Sequence, residues 1–245
     1  MNTQSTIEKL KSLRLSAMSE LYYRSLNEKQ FPEYTTDEFV ALMVDAEWEE
    51  KHNRKIALLV KNAKFSLNIS ANDIDYSSNR NLDKNVFQRL LTLRFIKQAE
   101  NIIITGPTGV GKSHLAQAIG LEACTLINKT IYYNWMTFSE QIKLAKLDGT
   151  YLKLLQKIQN SDLLIIDDFG LHPFDNYTRH ALMDIVEAKY NQSSIIITSQ
   201  IPVSKWHELI GEGTIADAIL DRLVNASHRL ELSGESLRKN RTLKG

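Results

Sequence analysis

Gly106-Pro107-Thr108-Gly109-Val110-Gly111-Lys112-Ser113 decides the fold, because it fits the pattern G-x-x-x-x-G-K-[ST]. Before it stands Asn101-Ile102-Ile103-Ile104-Thr105, a β-branched run that reads as a buried strand. After it, His114-Leu115-Ala116-Gln117-Ala118-Ile119 reads as a helix. Strand, glycine loop and helix together form a cradle for a polyphosphate. The glycines let backbone N–H groups turn inward, and the helix N-terminus adds partial positive charge. Lys112 can reach β- and γ-phosphates, and the Ser113 hydroxyl can ligate Mg²⁺.

The rest of the chain alternates strands and helices. Thr130–Asn134 reads as a second strand, and 137–146 and 151–159 as helices. Asp162-Leu163-Leu164-Ile165-Ile166-Asp167-Asp168 is four apolar residues ending in two carboxylates, a buried parallel strand that delivers acids at its C-terminal edge. A helix over 176–190 and a strand over Ser194–Gln200 follow, then helix, then a short strand over His228–Leu232. This order predicts an α/β fold with a parallel sheet covered by helices on both faces.

The N-terminal part differs. Ile7, Leu10, Leu13, Ala17, Met18, Leu21 and Tyr22 recur at helical spacing over 5–27. After a break at Phe31-Pro32, Thr35 and Glu38 form a capping-box pattern that opens a long helix to about Phe65. Its first half is acidic, whereas its second half carries Lys51, Arg54, Lys55, Lys61 and Lys64 and no acid. That split fits complementarity to the helix dipole and fits a phosphate-contacting surface equally well. Residues 1–66 are expected to be a small helical domain, 67–82 a polar linker, and 83–245 the nucleotide domain, opened by a helix over 83–97.

Composition sets bounds. The 245 residues carry a net charge of +1, so a nucleic-acid contact must come from local clusters. Cys124 is the single cysteine, which rules out an internal disulfide and suits a reducing cytosol. The polar N-terminal run lacks a signal-peptide core, and no apolar run approaches membrane-spanning length. A cytoplasmic protein without a membrane partner is expected.

A phosphate loop paired with an apolar strand ending in acids is what nucleoside triphosphate hydrolysis requires. Asp167 would hold Mg²⁺, directly or through water, and Asp168 would polarise the attacking water. Gln200 or Ser199, at the end of their strand, could orient that water or sense the γ-phosphate; a plain polar strand end is the alternative. Arg222 and Arg238 read, from chemistry alone, as surface ion-pair partners.

Four stretches, Gly106–Ala116, Leu163–Gly170, Ile197-Thr198-Ser199-Gln200 and Glu235-Ser236-Leu237-Arg238, together resemble the IstB branch of the AAA+ ATPases. These are helper ATPases of insertion-sequence transposition, similar to the DnaC helicase loaders. His114 after the loop serine and the Asp-Asp-Phe-Gly ending suit this branch. The resemblance covers about Leu82 to Lys239, and the N-terminal helices are similar less specifically. It implies ATP as nucleotide, bound by the loop and His114. Lys112 and Ser113 would form the Walker A pair and Asp167 and Asp168 the Walker B pair. It further implies Gln200 at sensor 1, Arg222 as an arginine finger acting on a neighbouring copy, and Arg238 at sensor 2. Two departures stand out: Asp168 replaces the usual Glu, which implies slow hydrolysis unless stimulated, and Gln200 replaces Asn. The resemblance implies a nucleotide-dependent homo-oligomer on duplex DNA that recruits a transposase. A helicase loader and a non-hydrolysing nucleotide-gated scaffold are the alternatives.

Overall fold

The computed structural model describes residues 3–28, 32–67, 69–76, 80–225 and 227–237. The chain divides into two units, Met1–Leu58 and Leu59–Gly245.

The first unit is helical. The stretch expected as one helix over 5–27 is two, α1 (Thr3–Ser12) and α2 (Ser16–Asn27). Arg14 breaks it with a left-handed φ of 59°. The apolar spacing runs on through the break, and a non-glycine residue in that conformation leaves no sign in the pattern. α3 (Thr36–Ala63) opens with the expected capping box: Thr35 N–H donates to Glu38 at 2.8 Å and Glu38 N–H donates back to Thr35 Oγ1 at 3.3 Å. Glu47, buried on α3, accepts from the backbone N–H groups of Ala17 (2.9 Å) and Met18 (3.2 Å). A carboxylate at an otherwise uncapped helix start satisfies orphan donors and favours the dipole.

The second unit is built on a five-stranded sheet of β1 (Asn101–Thr105), β2 (Thr130–Asn134), β3 (Leu163–Asp167), β4 (Ser194–Ser199) and β5 (Ser227–Glu231). All pairs are parallel and the order is β2-β3-β4-β1-β5. Successive strand residues point to opposite faces, so each apolar run feeds two cores. Ile103, Leu164, Ile166, Ile195 and Ile197 enter one core; Ile102, Ile104, Leu163, Ile165 and Ile196 enter the other. α7 (Trp135–Leu147), α8 (Tyr151–Gln159), α9 (Asn176–Lys189), α10 (Trp206–Ile210) and α11 (Gly213–Val224) supply the first core. α4 (Lys84–Leu91), α5 (Arg94–Lys97) and α6 (Lys112–Thr125) supply the second. Burial on both faces is why these strands are continuous apolar runs rather than alternating ones.

Two differences from the sequence reading concern the approach to β1. The helix expected over 83–97 is α4 and α5, separated by Leu93 at a left-handed φ of 57°. Leu93 is buried, so packing holds a conformation that a leucine resists on its own. In the polar stretch 67–82, the described residues form no regular element beyond a single 3₁₀ turn, Ala71–Asp73. Ile69 and Ile74 are nonetheless buried in the second core, and Arg80 is 3% exposed.

The topology gathers strand ends. β1, β3 and β4 lie side by side, so the loops leaving their C-terminal edges converge. The glycine loop, Asp167-Asp168 and Ser199-Gln200 are those loops.

Candidate functional site

A cleft of about 1570 Å³ opens at that edge, lined on one side by the phosphate loop and on the other by Tyr132, Asn134, Asp167, Asp168 and Gln200. Asp73, Ile74, Asp75 and Leu237 also line it.

The loop's glycines are demanded by its shape. Gly109 and Gly111 have φ of 84° and 97°. A Cβ on Gly109 would overlap Ser236, and one on Gly111 would overlap the Arg80 guanidinium. Val110 turns its side chain into the core, which leaves only its backbone to the loop surface. Lys112 is buried, and its Nζ donates to the carbonyls of Gly106 and Pro107, both at 2.8 Å. Thr108 and His114 line the cleft.

Asp167 is held by three hydroxyls. Ser113 Oγ donates to Oδ1 at 2.9 Å, Thr198 Oγ1 donates to the same oxygen, and Tyr132 OH donates to Oδ2 at 2.8 Å. The Ser113–Asp167 pairing is the juxtaposition a magnesium ion needs, a hydroxyl and a carboxylate at the mouth of a phosphate loop. Among the described residues there is no cluster of three His, Cys, Asp or Glu that could hold a metal by itself.

Asp168 follows in a left-handed conformation, φ 57°, fixed by its N–H donating to Thr198 Oγ1 at 3.0 Å. Such backbone at a strand end turns the side chain out of the sheet and into the cleft. Burial raises its pKa above the ordinary aspartate value, and the neighbouring Asp167 raises it further. Lys112 and hydrogen bonds from Asn134 and Gln200 oppose the rise. Asn134 Nδ2 lies 3.2 Å from Asp168 Oδ2, and Gln200 Oε1 accepts from Thr108 Oγ1 at 2.5 Å. Gln200 therefore touches both the phosphate loop and the acid.

The structure brings Thr108, Gly109, Gly111, Lys112, Ser113, His114, Asp167, Asp168 and Gln200 to one cleft. Arg222 lies elsewhere. It sits at the end of α11, pairs with Glu187 at 2.7 Å and packs over the Tyr190 ring, beside the N-terminal start of β1. Arg238 lies outside the described residues. Lys51, Arg54, Lys55, Lys61 and Lys64 are all exposed. Lys51 pairs with Glu47 at 3.5 Å and Arg54 with Glu50 at 2.7 Å. Lys64 lies at the rim of the nucleotide cleft.

Four contributors went unread in the sequence. Tyr132 and Asn134 sit on β2 beside the acid strand, and the end of that strand is the available signal. Thr198 was in view but its contact with Asp167 depends on register. Arg80 gave no signal at all. Its guanidinium donates to Val110 O (3.0 Å) and Asp75 O (2.6 Å), tying Asp75 to the phosphate loop. Burial lowers its pKa, and Nε has no hydrogen-bond partner among the described residues.

Known proteins match this chain over most of its length. The family model described as IstB-like ATP binding protein matches residues 8–245. An insertion-sequence ATP-binding protein of Sinorhizobium fredii, y4pL, is 40% identical over 239 residues, 98% of each chain. One from insertion sequence IS5376 of Geobacillus stearothermophilus is 34% identical over 225 residues, covering 92% of this chain and 87% of that one. Among solved structures, AMPPCP-bound DnaA from Aquifex aeolicus matches with a TM-score of 0.59 at 21% identity, covering 74% of this chain and 55% of that one. That likeness is one of fold, the AAA+ phosphate-loop architecture. No helix among the described residues is long and apolar enough to cross a membrane.

Proposed function

Since this chain belongs to the IstB-like ATP-binding proteins of insertion sequences, we propose that it is a Mg²⁺-dependent ATPase that assembles on target duplex DNA and recruits a transposase. The observation that carries the reading is the convergence of Lys112, Ser113, Asp167, Asp168 and Gln200 on one cleft beside a loop whose glycines take positive φ.

Each residue has a chemical task. The loop N–H groups and the start of α6 receive the phosphates. Lys112 exchanges its two carbonyl contacts for phosphate oxygens. Ser113 and Asp167 would hold Mg²⁺, which supplies charge neutralisation at the β- and γ-oxygens. Asp168 orients a water and takes its proton as the water oxygen bonds to the γ-phosphorus and ADP leaves. Its raised pKa makes it a better proton acceptor than an ordinary aspartate. Gln200, bonded to Thr108, lines up the same water. Asp73–Asp75 and Leu237 receive the base.

Arg222 would act on the ATP of a neighbouring copy, with its Glu187 pair exchanged for the γ-phosphate. That placement is supported by its distance from the cleft of its own chain, and it makes a nucleotide-dependent homo-oligomer the active form. The helical N-terminal region, taken as residues 1–66, would present Lys51, Arg54, Lys55, Lys61 and Lys64 to DNA phosphates, with 83–245 as the ATPase domain.

Three measurements test the reading. Lys112→Ala should abolish tight Mg-ATP binding by equilibrium dialysis, and wild-type affinity in that variant would overturn the phosphate-loop assignment. ATP turnover and ATP-dependent anisotropy titrations on duplex and single-stranded DNA should show duplex preference and steep salt dependence. Single-strand preference would point to a helicase loader, and binding without turnover to a scaffold.

A further inference from the structure

Tyr132 is on β2, one strand away from the chemistry, and its hydroxyl is the hinge of a hydrogen-bond chain that runs from the buried Asp167 to the exposed Ser66 and Leu67. It donates to Asp167 Oδ2 at 2.8 Å. It accepts from Ser66 Oγ at 3.1 Å. Gln117 of α6 closes the chain, with its Nε2 donating to Ser66 Oγ at 3.1 Å and its Oε1 accepting from Leu67 N–H at 2.9 Å. Ser66 and Leu67 come three and four residues after the end of α3 at Ala63, past Lys64, which takes a left-handed φ of 60°. Tyr132 and Gln117 are 8% and 1% exposed and the Tyr132–Asp167 bond is buried, so water does not replace that bond at low cost, whereas Ser66 and Leu67 face solvent.

The two oxygens of Asp167 are divided between different neighbours. Oδ1 meets Ser113 and Thr198 on the metal side; Oδ2 meets Tyr132 alone among the described residues. A carboxylate tied at one oxygen has its rotation about Cβ–Cγ fixed, and the other oxygen faces Ser113.

We infer that Tyr132 is a positioning residue: it sets the metal-facing orientation of Asp167 and links that orientation to Ser66 and Leu67 beyond the end of α3. The inference rests on the reading of Ser113 and Asp167 as the Mg²⁺-holding pair. Linkage makes the coupling reciprocal. If the Tyr132 bond favours the orientation that binds Mg²⁺, then Mg²⁺ favours the Tyr132–Ser66–Gln117 arrangement and protects the Leu67 amide.

The test uses the full chain with a non-hydrolysable ATP analogue, with Mg²⁺ or with EDTA. Hydrogen exchange of the peptide containing Leu67 is one readout, and the Mg²⁺ concentration for half-maximal analogue retention is the other. In wild type, Mg²⁺ should slow Leu67 exchange. Tyr132→Phe keeps the ring against Phe65 but removes the hydroxyl. It should raise the Mg²⁺ requirement roughly 10-fold, the worth of one hydrogen bond to a charged group, and erase the Mg²⁺ response at Leu67. Ser66→Ala leaves the Tyr132–Asp167 bond in place. It should erase the Leu67 response while moving the Mg²⁺ requirement less than Tyr132→Phe does. A merely structural tyrosine would lower the melting temperature and leave both readouts as in wild type, and that result overturns the inference. Wild-type protein that fails to retain the analogue with Mg²⁺ would instead overturn the nucleotide reading beneath it.

Discussion

Asp168→Asn separates chemistry from binding most cleanly. The substitution keeps shape and backbone: asparagine tolerates the left-handed conformation that Asp168 adopts, φ 57°. The N–H bond to Thr198 Oγ1 at 3.0 Å is untouched. What changes is charge. Burial and Asp167 both disfavour ionised Asp168, so a neutral amide should leave the melting temperature unchanged or raise it. A neutral side chain also removes repulsion toward the γ-phosphate, so analogue affinity should hold or tighten. Hydrolysis should fall by roughly 10²- to 10⁴-fold, the usual worth of a general base. In barrier height this is about 3–5 kcal/mol. Single-turnover phosphate release, dialysis with a non-hydrolysable analogue and a thermal melt read the three effects on one preparation. Phosphate release within about threefold of wild type, less than 1 kcal/mol of barrier, would refute the assignment of Asp168. A fall in rate accompanied by an equal loss of affinity would refute the separation of roles.

Two further outcomes concern pH. Asn134→Ser removes a hydrogen bond that holds the Asp168 pKa down while a serine still caps α7; the acid limb of the hydrolysis rate should move to higher pH, and an unmoved limb would detach Asn134 from the acid. Lys189, buried against Ser161 and Ser193, has its pKa lowered to about 7 by burial, below its unfolded value. The folded chain therefore gives up this proton first. The lysine's contribution to stability should rise between pH about 7 and about 10, at up to about 1.4 kcal/mol per pH unit, and stay flat below. Urea melts of wild type and Lys189→Met at both ends of that window should show the slope in wild type alone.

What the sequence made legible follows from how local each signal is. The loop Gly106–Ser113 and the strand ending in Asp167-Asp168 announce themselves, because their chemistry and flanking elements are contiguous in the chain. Three of the five strands, β1, β3 and β4, were legible for the same reason: a strand buried on both faces is a run of Ile and Leu. The breaks at Arg14 and Leu93 were not, since a left-handed non-glycine residue interrupts a helix without interrupting its apolar period. The site's supporting residues were hidden by distance. Asn134 and Thr198 reach the acids only through the register of β2, β3 and β4. Arg80 lies 30 residues from the Val110 carbonyl it bonds, in a stretch whose polarity reads as a linker.

The basic half of α3 shows how the structure changes what a charge count means. The acids and bases that looked segregated along the helix meet across one turn, Lys51 with Glu47 and Arg54 with Glu50. Glu47 is already committed through Oε2 to the N–H groups that start α2. Removing Lys51 would leave that buried carboxylate with less compensation, so a loss of DNA affinity at this position would mix phosphate contact with disturbance of the helical unit. The Arg54–Glu50 pair is exposed and of little worth, so a phosphate can displace the glutamate cheaply. Lys55 has no ion-pair partner among the described residues. Lys55, like Lys61, is therefore a position whose removal reports phosphate contact alone: a lower salt slope, with no change in unfolding, is the signature that distinguishes a DNA surface from charges arranged for the helix itself.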